Sequence, residues 1–334
     1  MCRQKNGTVI SLLLILGLFV GVIAFSGSSY GAEKIVIRIG FTSDSDSPPA
    51  RESKFFKKIL EEKFPGRINV QVFPTAQLGK GTEMLQNIKM GNLEMGLFIS
   101  ETPALDMRLG FLDLSWLFDS VAHFQRVVEG PVGKDMLSIV EEKGIKALGI
   151  YWNGFRNVGT VKKPIKRLED MKGLKIRIAP NPSRTATFKA FGAAPTKIPS
   201  GEVYTALQMG VVDGAEATTF VWSGHKWDEV VDYFTVLNYS CQPNVAMMSG
   251  KFWNSLPKDI QKGVEETSDA VAKWSYKVGE SWNKGYLGML NKRVKIIEIT
   301  PDALSEFKKA VKPVNQGFRK EYGDKWFEEV EKAR

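Results

Sequence analysis

Cysteine and histidine are almost missing from this sequence: Cys2, Cys241, His123 and His225 are all it has in 334 residues. Two cysteines this far apart exclude a disulfide framework and any zinc site built on paired thiolates. Two scattered histidines exclude an imidazole cluster for a metal or a proton relay. There is no G-x-S-x-G elbow, H-E-x-x-H, C-x-x-C or P-loop, and Gly79-Lys-Gly-Thr-Glu-Met lacks the last glycine of the dinucleotide fingerprint. Asp44 and Asp46 open like a calcium loop, but Pro48 and the missing downstream Gly and Glu spoil it, so a loop entering a helix accounts for them. Cys241 reads as a small buried hydrophobe and His123 as a structural residue of a helix. His225, close to Trp222 and Trp227, is open to a ligand contact or to a surface-loop role.

Long apolar runs are also absent beyond residue 25, so no later segment is expected to cross a bilayer. The beginning is different: Arg3 and Lys5 precede an uncharged run over residues 9–25, followed by small residues. That order predicts a secretory signal peptide over residues 1–32, cut after Gly31 or Ala32, with an uncleaved anchor as the alternative. Cleavage removes Cys2, which rules out a disulfide within the mature chain, and brings the formal charge from +9 to +7. The excess is spread rather than clustered, so an exported chain of this kind is not expected to bind nucleic acid, only to attract anions mildly. The expected location is the periplasm, as a monomer.

Single cores stop growing near this length, so two domains are expected. Strand patterns over residues 35–41, 68–73 and 95–100 alternate with helical patterns over 54–64 and before Gly91, which predicts a parallel α/β sheet. A helix over 121–143 and a strand over 145–151 close the first lobe. A second α/β lobe follows, with strands over 174–178 and 211–215, a helix around 185–191 and another capped by Ser200. Residues 258–291 hold no proline and carry apolar residues three or four apart. They predict one very long helix leaning across both lobes; two helices broken near Gly279 or Gly285 are the alternative. A strand over 294–299 and a helix opened by Thr300-Pro-Asp complete the chain.

Arg177 stands out within Leu174-Lys-Ile-Arg-Ile-Ala-Pro180, where alternation sets Lys175 and Arg177 opposite Leu174, Ile176 and Ile178. A charge at the carboxyl end of such a strand faces the ligand crevice of an open α/β sheet, and a guanidinium fork suits a carboxylate. An exposed strand face is the competing reading. Arg156, in Tyr151-Trp-Asn-Gly-Phe-Arg-Asn, is read as lying in a loop after a strand, where a solvated arginine is equally compatible.

Residues 174–217, with Gly201-Glu-Val-Tyr204 and Asp213-Gly-Ala-Glu216, resemble the solute-binding proteins of tripartite ATP-independent periplasmic (TRAP) transporters. Phe73-Pro-Thr-Ala-Gln-Leu-Gly79, Met90-Gly-Asn-Leu-Glu-Met-Gly96 and Lys251-Phe-Trp-Asn-Ser-Leu-Pro257 resemble the family in the same order, so the likeness covers the mature chain. It implies the α/β, two-lobed periplasmic binding protein fold with a hinge and a long helix spanning both lobes. Lobe I would take residues 33–153 with 243–282, and lobe II residues 154–242 with 283–334. The implied function is capture of a small organic acid by cleft closure and its delivery to TRAP permease subunits in the membrane, with no catalysis. The family's carboxylate-binding arginine resembles Arg177, and a second ligand-facing arginine resembles Arg156. This chain has Ala217-Thr218 where many relatives have Asn-Pro, so Thr218, Thr219 or Trp222 would supply that contact. Trp152, Asn153 and Phe188 would complete the walls. Some relatives hold a metal with a glutamate near Glu216, but a lone carboxylate specifies no cation, so Glu216 is expected as a ligand contact with no metal or cofactor. The alternatives are a binding subunit of an ATP-driven importer or of a sensor, and an exported hydrolase.

Overall fold

The computed structural model describes residues 34–98 and 100–334, and the signal segment expected over residues 1–32 lies outside the described residues. β-Branched and apolar residues at alternate positions build the opening strands. β1 (Ile35–Gly40) and β2 (Ile68–Phe73) pair in parallel, with the helix Pro48–Lys63 as their crossover. β3 (Met95–Phe98) lies parallel on the other edge of β1. The later strands are β4 (Ile145–Thr160), β5 (Lys175–Ile178), β6 (Ala194–Lys197), β7 (Gly214–Thr218), β8 (Tyr233–Ser249) and β9 (Lys295–Glu298). They join one sheet in the order β2-β1-β3-β8-β4-β7-β5-β6, with β9 beside β8. Parallel pairing holds toward both ends, but β8 is antiparallel to β3 and β4, and β7 is antiparallel to β4. The sheet is therefore mixed, where alternating strands and helices had predicted a parallel one.

β4 and β8 are the long strands, and they link the two halves of the sheet. The end of β8, Val245 to Met248, pairs with β3, whereas the end of β4, Arg156 to Thr160, pairs with β7. Between them the register slips: Trp152 faces Pro243 and Phe155 faces Cys241, so Asn153 and Gly154 both stand opposite Gln242. Gly154 has φ +113°, a conformation that only glycine adopts without strain, so the extra residue is tied to its identity.

The long helix is continuous over Lys258–Leu290, with no break at Gly279 or Gly285. Ile260, Val264 and Val271 pack beneath β1 and the helix Pro48–Lys63, while Leu290 joins a separate core with Val203, Phe234 and Val294. One helix thus serves both halves. Gly279 lets it approach the sheet closely, since a Cβ there would stand 2.4 Å from a ring carbon of Trp152. The helix expected over 121–143 is two helices, Val121–Glu129 and Pro131–Glu141, because Pro131 has no N–H to continue the first and starts the second. Ser200 opens a short turn before the helix Val203–Gln208 and makes no side-chain cap. Thr300 does cap, accepting from the Ala303 N–H. Among the described residues no helix is long and apolar enough to cross a membrane.

Candidate functional site

Three buried arginines converge where the two halves of the sheet meet, each aimed by a different element. Arg156 lies on the second half of β4, so the loop expected for it is a strand; glycines and amides had hidden the continuation of the ladder. Arg177 is the third residue of β5 and is 3% exposed, whereas Lys175 on the same face is exposed. Arg184 sits in the first turn of the helix Pro182–Ala190, where the Asn181 side chain caps its N–H at 3.2 Å. A cation in a first turn opposes the helix dipole, so another partner must hold it there.

Glu216, on β7, ties the first two arginines together. Its Oε2 accepts from Arg156 Nε at 2.5 Å and from the Tyr239 hydroxyl at 2.5 Å, and its Oε1 accepts from the Ala179 N–H at 3.0 Å. Burial alone would raise this carboxyl, but Arg156 and Arg184 outweigh burial and hold it at about 2. Burial would likewise lower Arg156, and Glu216 reverses the effect and raises it. Arg156 Nη1 also donates to Gln242 Oε1. Arg184 donates through Nη2 to Asp113 Oδ1 and through Nη1 to Ser100 Oγ, both at 2.9 Å.

Arg177 is differently placed. Its Nε donates to the Ile198 carbonyl at 2.8 Å and its Nη1 to the Glu216 carbonyl at 3.3 Å, and its guanidinium lies 5.1 Å from the Trp227 ring centre. Backbone carbonyls and a ring, not a carboxylate, are its partners. Burial, with the like charges of Arg156 and Arg184, pulls its pKa down to about 9. Arg156 pairs with Glu216 and Arg184 with Asp113, so this group carries one positive charge more than its acids balance. A buried charge of that kind is costly until an anion meets it.

The remaining expected residues fall into two sets. Asn153 is buried with neither amide atom bonded, and Thr218 Oγ1 is likewise buried and unbonded. Thr219 accepts from Asn157 and donates to Asn283, and with Trp152 and Asn153 it borders a narrow gap beside the long helix. Phe188 and Trp222, expected at the ligand, lie in the apolar cores instead. Phe188 meets Tyr239 edge-on at 5.4 Å, and Trp222 meets Trp227 edge-on at 5.5 Å, so they brace the groups that hold Glu216 and Arg177. Trp152 is 1% exposed and packs on Phe124 and Phe155. The His225 ring lies tilted beside Trp227, with ring centres 5.7 Å apart, and burial lowers its pKa, with Asp44 opposing.

Sequence reading missed Arg184, Asp113, Tyr239 and Gln242. The available signal was the Asn181-Pro182 pair, a helix start that sets Arg184 in a first turn, whereas the helix was expected only around 185–191. A cavity of about 520 Å³ opens elsewhere, bordered by Trp116, Lys312, Arg319, Phe327 and Arg334. Arg319 and Arg334 there already pair with Asp324, Asp119 and Glu331. Among the described residues no group of three or more histidine, cysteine, aspartate or glutamate side chains is placed to hold a metal ion.

Two sheet halves joined by long strands, with an unbalanced cation between them, define the class of hinged solute-binding proteins. Comparison with known proteins agrees. Residues 39–321 match the family model for bacterial extracellular solute-binding protein, family 7. The 2,3-diketo-L-gulonate-binding periplasmic protein YiaO of Escherichia coli is 32% identical over 285 residues, covering 84% of this chain and 86% of that one. The succinate-bound TRAP periplasmic solute-binding protein of Sulfurospirillum deleyianum superimposes with a TM-score of 0.85 at 29% identity, over 90% of this chain and 99% of that one. The galactonate-bound sugar acid binding protein of Advenella mimigardefordensis gives a TM-score of 0.86 at 26% identity, over 90% and 99% of the two chains. The chain belongs to this family, the solute-binding proteins of TRAP transporters.

Proposed function

We propose that this chain is an exported binding subunit that captures a small organic acid on Arg177, alters no bond in it, and passes it to the membrane subunits of its transporter. The lobes are residues 33–153 with 243–282 and residues 154–242 with 283–324, hinged where Asn153 and Gly154 stand opposite Gln242; the last helix, Lys325–Lys332, expected in the second lobe, returns to the first, because Phe327 and Val330 are buried in the core of Phe111, Phe124 and Val140. One observation carries the reading: Arg177 is a buried guanidinium bonded to backbone carbonyls, with no carboxylate of its own. The acid's carboxylate supplies the missing charge, and closure of the lobes strengthens the pair by removing water. Arg156 is fixed by Glu216 and Gln242 and offers a second positive edge, while Asn153, Thr218 and Thr219 face the rest of the acid. Glu216 positions Arg156 and does not itself hold the ligand. The relatives that bind succinate, galactonate and 2,3-diketo-L-gulonate support an acid as the solute.

A hydrolase would need an activated nucleophile. Cys241 is buried and burial pushes its thiol well above the ordinary range, the reverse of activation. The test is a thermal melt of the purified protein with succinate and with D-galactonate, each mixture also being analysed for product. A bound acid at a hundredfold excess over its Kd stabilises by about 2.7 kcal/mol and is recovered unchanged. Conversion of either acid refutes the binding role.

A further inference from the structure

A second group of buried polar side chains is carried by the helix Pro48–Lys63, β4 and β8, and the two strands also carry Arg156 and Gln242 of the arginine group. Glu52, in the second turn of the helix Pro48–Lys63, is 0% exposed. Its Oε2 accepts from Asn244 Nδ2 at 2.7 Å, and its Oε1 has no partner. Asn244 Oδ1 is unbonded, and so are both amide atoms of Asn153, with each residue at most 1% exposed. Buried groups left in this state cost stability unless something bonds them.

Their position relates them to the acid. Gln242 and Asn244 are alternate residues of β8 and so share a face of the sheet. Gln242 accepts from Arg156, and Asn244 lies two residues further on, about 7 Å along the strand. That is the span between the carboxylate of a small acid and its far hydroxyls. Asn153 stands across from Gln242, between the two groups.

Resting on the acid-binding reading, we propose that Glu52, Asn244 and Asn153 form a subsite that reads ligand hydroxyls, so that the preferred solute is a polyhydroxylated monocarboxylate over a plain dicarboxylate. Burial raises the Glu52 acid well above the ordinary carboxylate range, with the Asn244 bond opposing, which favours its protonated form. Oε2 accepts from Asn244, so Oε1 is the oxygen left to bond the ligand, and a proton held there would be free to donate. The subsite therefore offers donors from Glu52 and Asn153 and acceptors from Asn244 and Asn153. A hydroxyl both donates and accepts, and it satisfies such a mixture. A second carboxylate only accepts, and it would face two carbonyl oxygens without a cation to balance it.

Titration calorimetry on the purified protein decides the matter, with D-erythronate and D-galactonate set against succinate. The wild type is expected to prefer a hydroxylated acid to succinate by about tenfold or more. Glu52→Leu and Asn244→Leu remove about tenfold from the hydroxylated acid and leave succinate within about threefold, whereas Glu52→Gln, which keeps one donor and one acceptor, preserves the preference. Melting curves of each variant show whether it is folded, and Glu52→Gln, nearly isosteric, is the control. Equal or tighter binding of succinate by the wild type, or variants that weaken all acids alike, would overturn the subsite while acid binding itself stands. Failure of every acid to bind the wild type removes the acid-binding reading and the subsite with it.

Discussion

Glu216 accepts from Arg156 across 2.5 Å with both side chains buried, and the same residue's backbone carbonyl accepts from Arg177 at 3.3 Å. One residue therefore neutralises the first arginine with its carboxylate and orients the second with its main chain. Glu216→Gln removes the first function and spares the second. It leaves Arg156 charged and buried without its acid, which is expected to cost about 3–5 kcal/mol in urea denaturation. A loss below about 1 kcal/mol would show that the pair is dispensable to the fold.

The same carboxyl sets an acid limit. Its folded value of about 2 lies below the ordinary 4.5, because the arginine charges overcome burial. A group lowered on folding stabilises above its unfolded pKa and loses that contribution as pH falls through the folded one. The stability gap between wild type and Glu216→Gln should thus be full at pH 6 and shrink by about 3 kcal/mol as the pH falls from about 4.5 toward 2. Denaturation curves of the two proteins at matched pH measure it, since the other carboxylates cancel in the difference.

Two glycines of the long helix should respond oppositely to one substitution. Gly279→Ala places a methyl 2.4 Å from a Trp152 ring carbon, which is expected to cost about 1–3 kcal/mol. Gly285→Ala meets nothing within 4 Å and is expected to gain about 0.5–1 kcal/mol from helix propensity. Equal effects in thermal melts would mean that the helix does not rest on Trp152.

The long helix was legible because Ile260, Val264, Val271 and Tyr286 keep the helical period over its length and no proline interrupts it. β1, β2 and β5 were legible from alternation and β-branched residues, and Arg177 from its place on β5. β8 was not, since Asn238, Gln242, Pro243 and Asn244 break its pattern; it is buried on both faces and shared by two lobes, so alternation carries no signal there. The second half of β4 was lost for the same reason, with Asn153, Gly154, Asn157 and Gly159 reading as loop. Phe188 was placed at the ligand as an apolar wall and Trp222 as a substitute for the missing Asn-Pro contact, yet these two fill apolar cores. Arg184 and Asp113 lie 71 residues apart, and only the folded chain brings them together.

Cys241 gives a simple check on the closed packing around β8. Its side chain is 1% exposed and burial raises its thiol. A thiol reagent should leave Cys241 unlabelled in the native protein over hours and label it at once in denaturant. Rapid labelling without denaturant would contradict the packing.

The most direct test is titration calorimetry of Arg177→Ala and Arg177→Lys beside the wild type, with whichever acid the wild type binds. Arg177→Ala should lose about a hundredfold or more in affinity, Arg177→Lys about tenfold because an ammonium lacks the planar fork, and both should still melt cooperatively. If Arg177→Ala is folded and binds the acid as tightly as the wild type, Arg177 is not where the solute's charge is held, and the account is wrong.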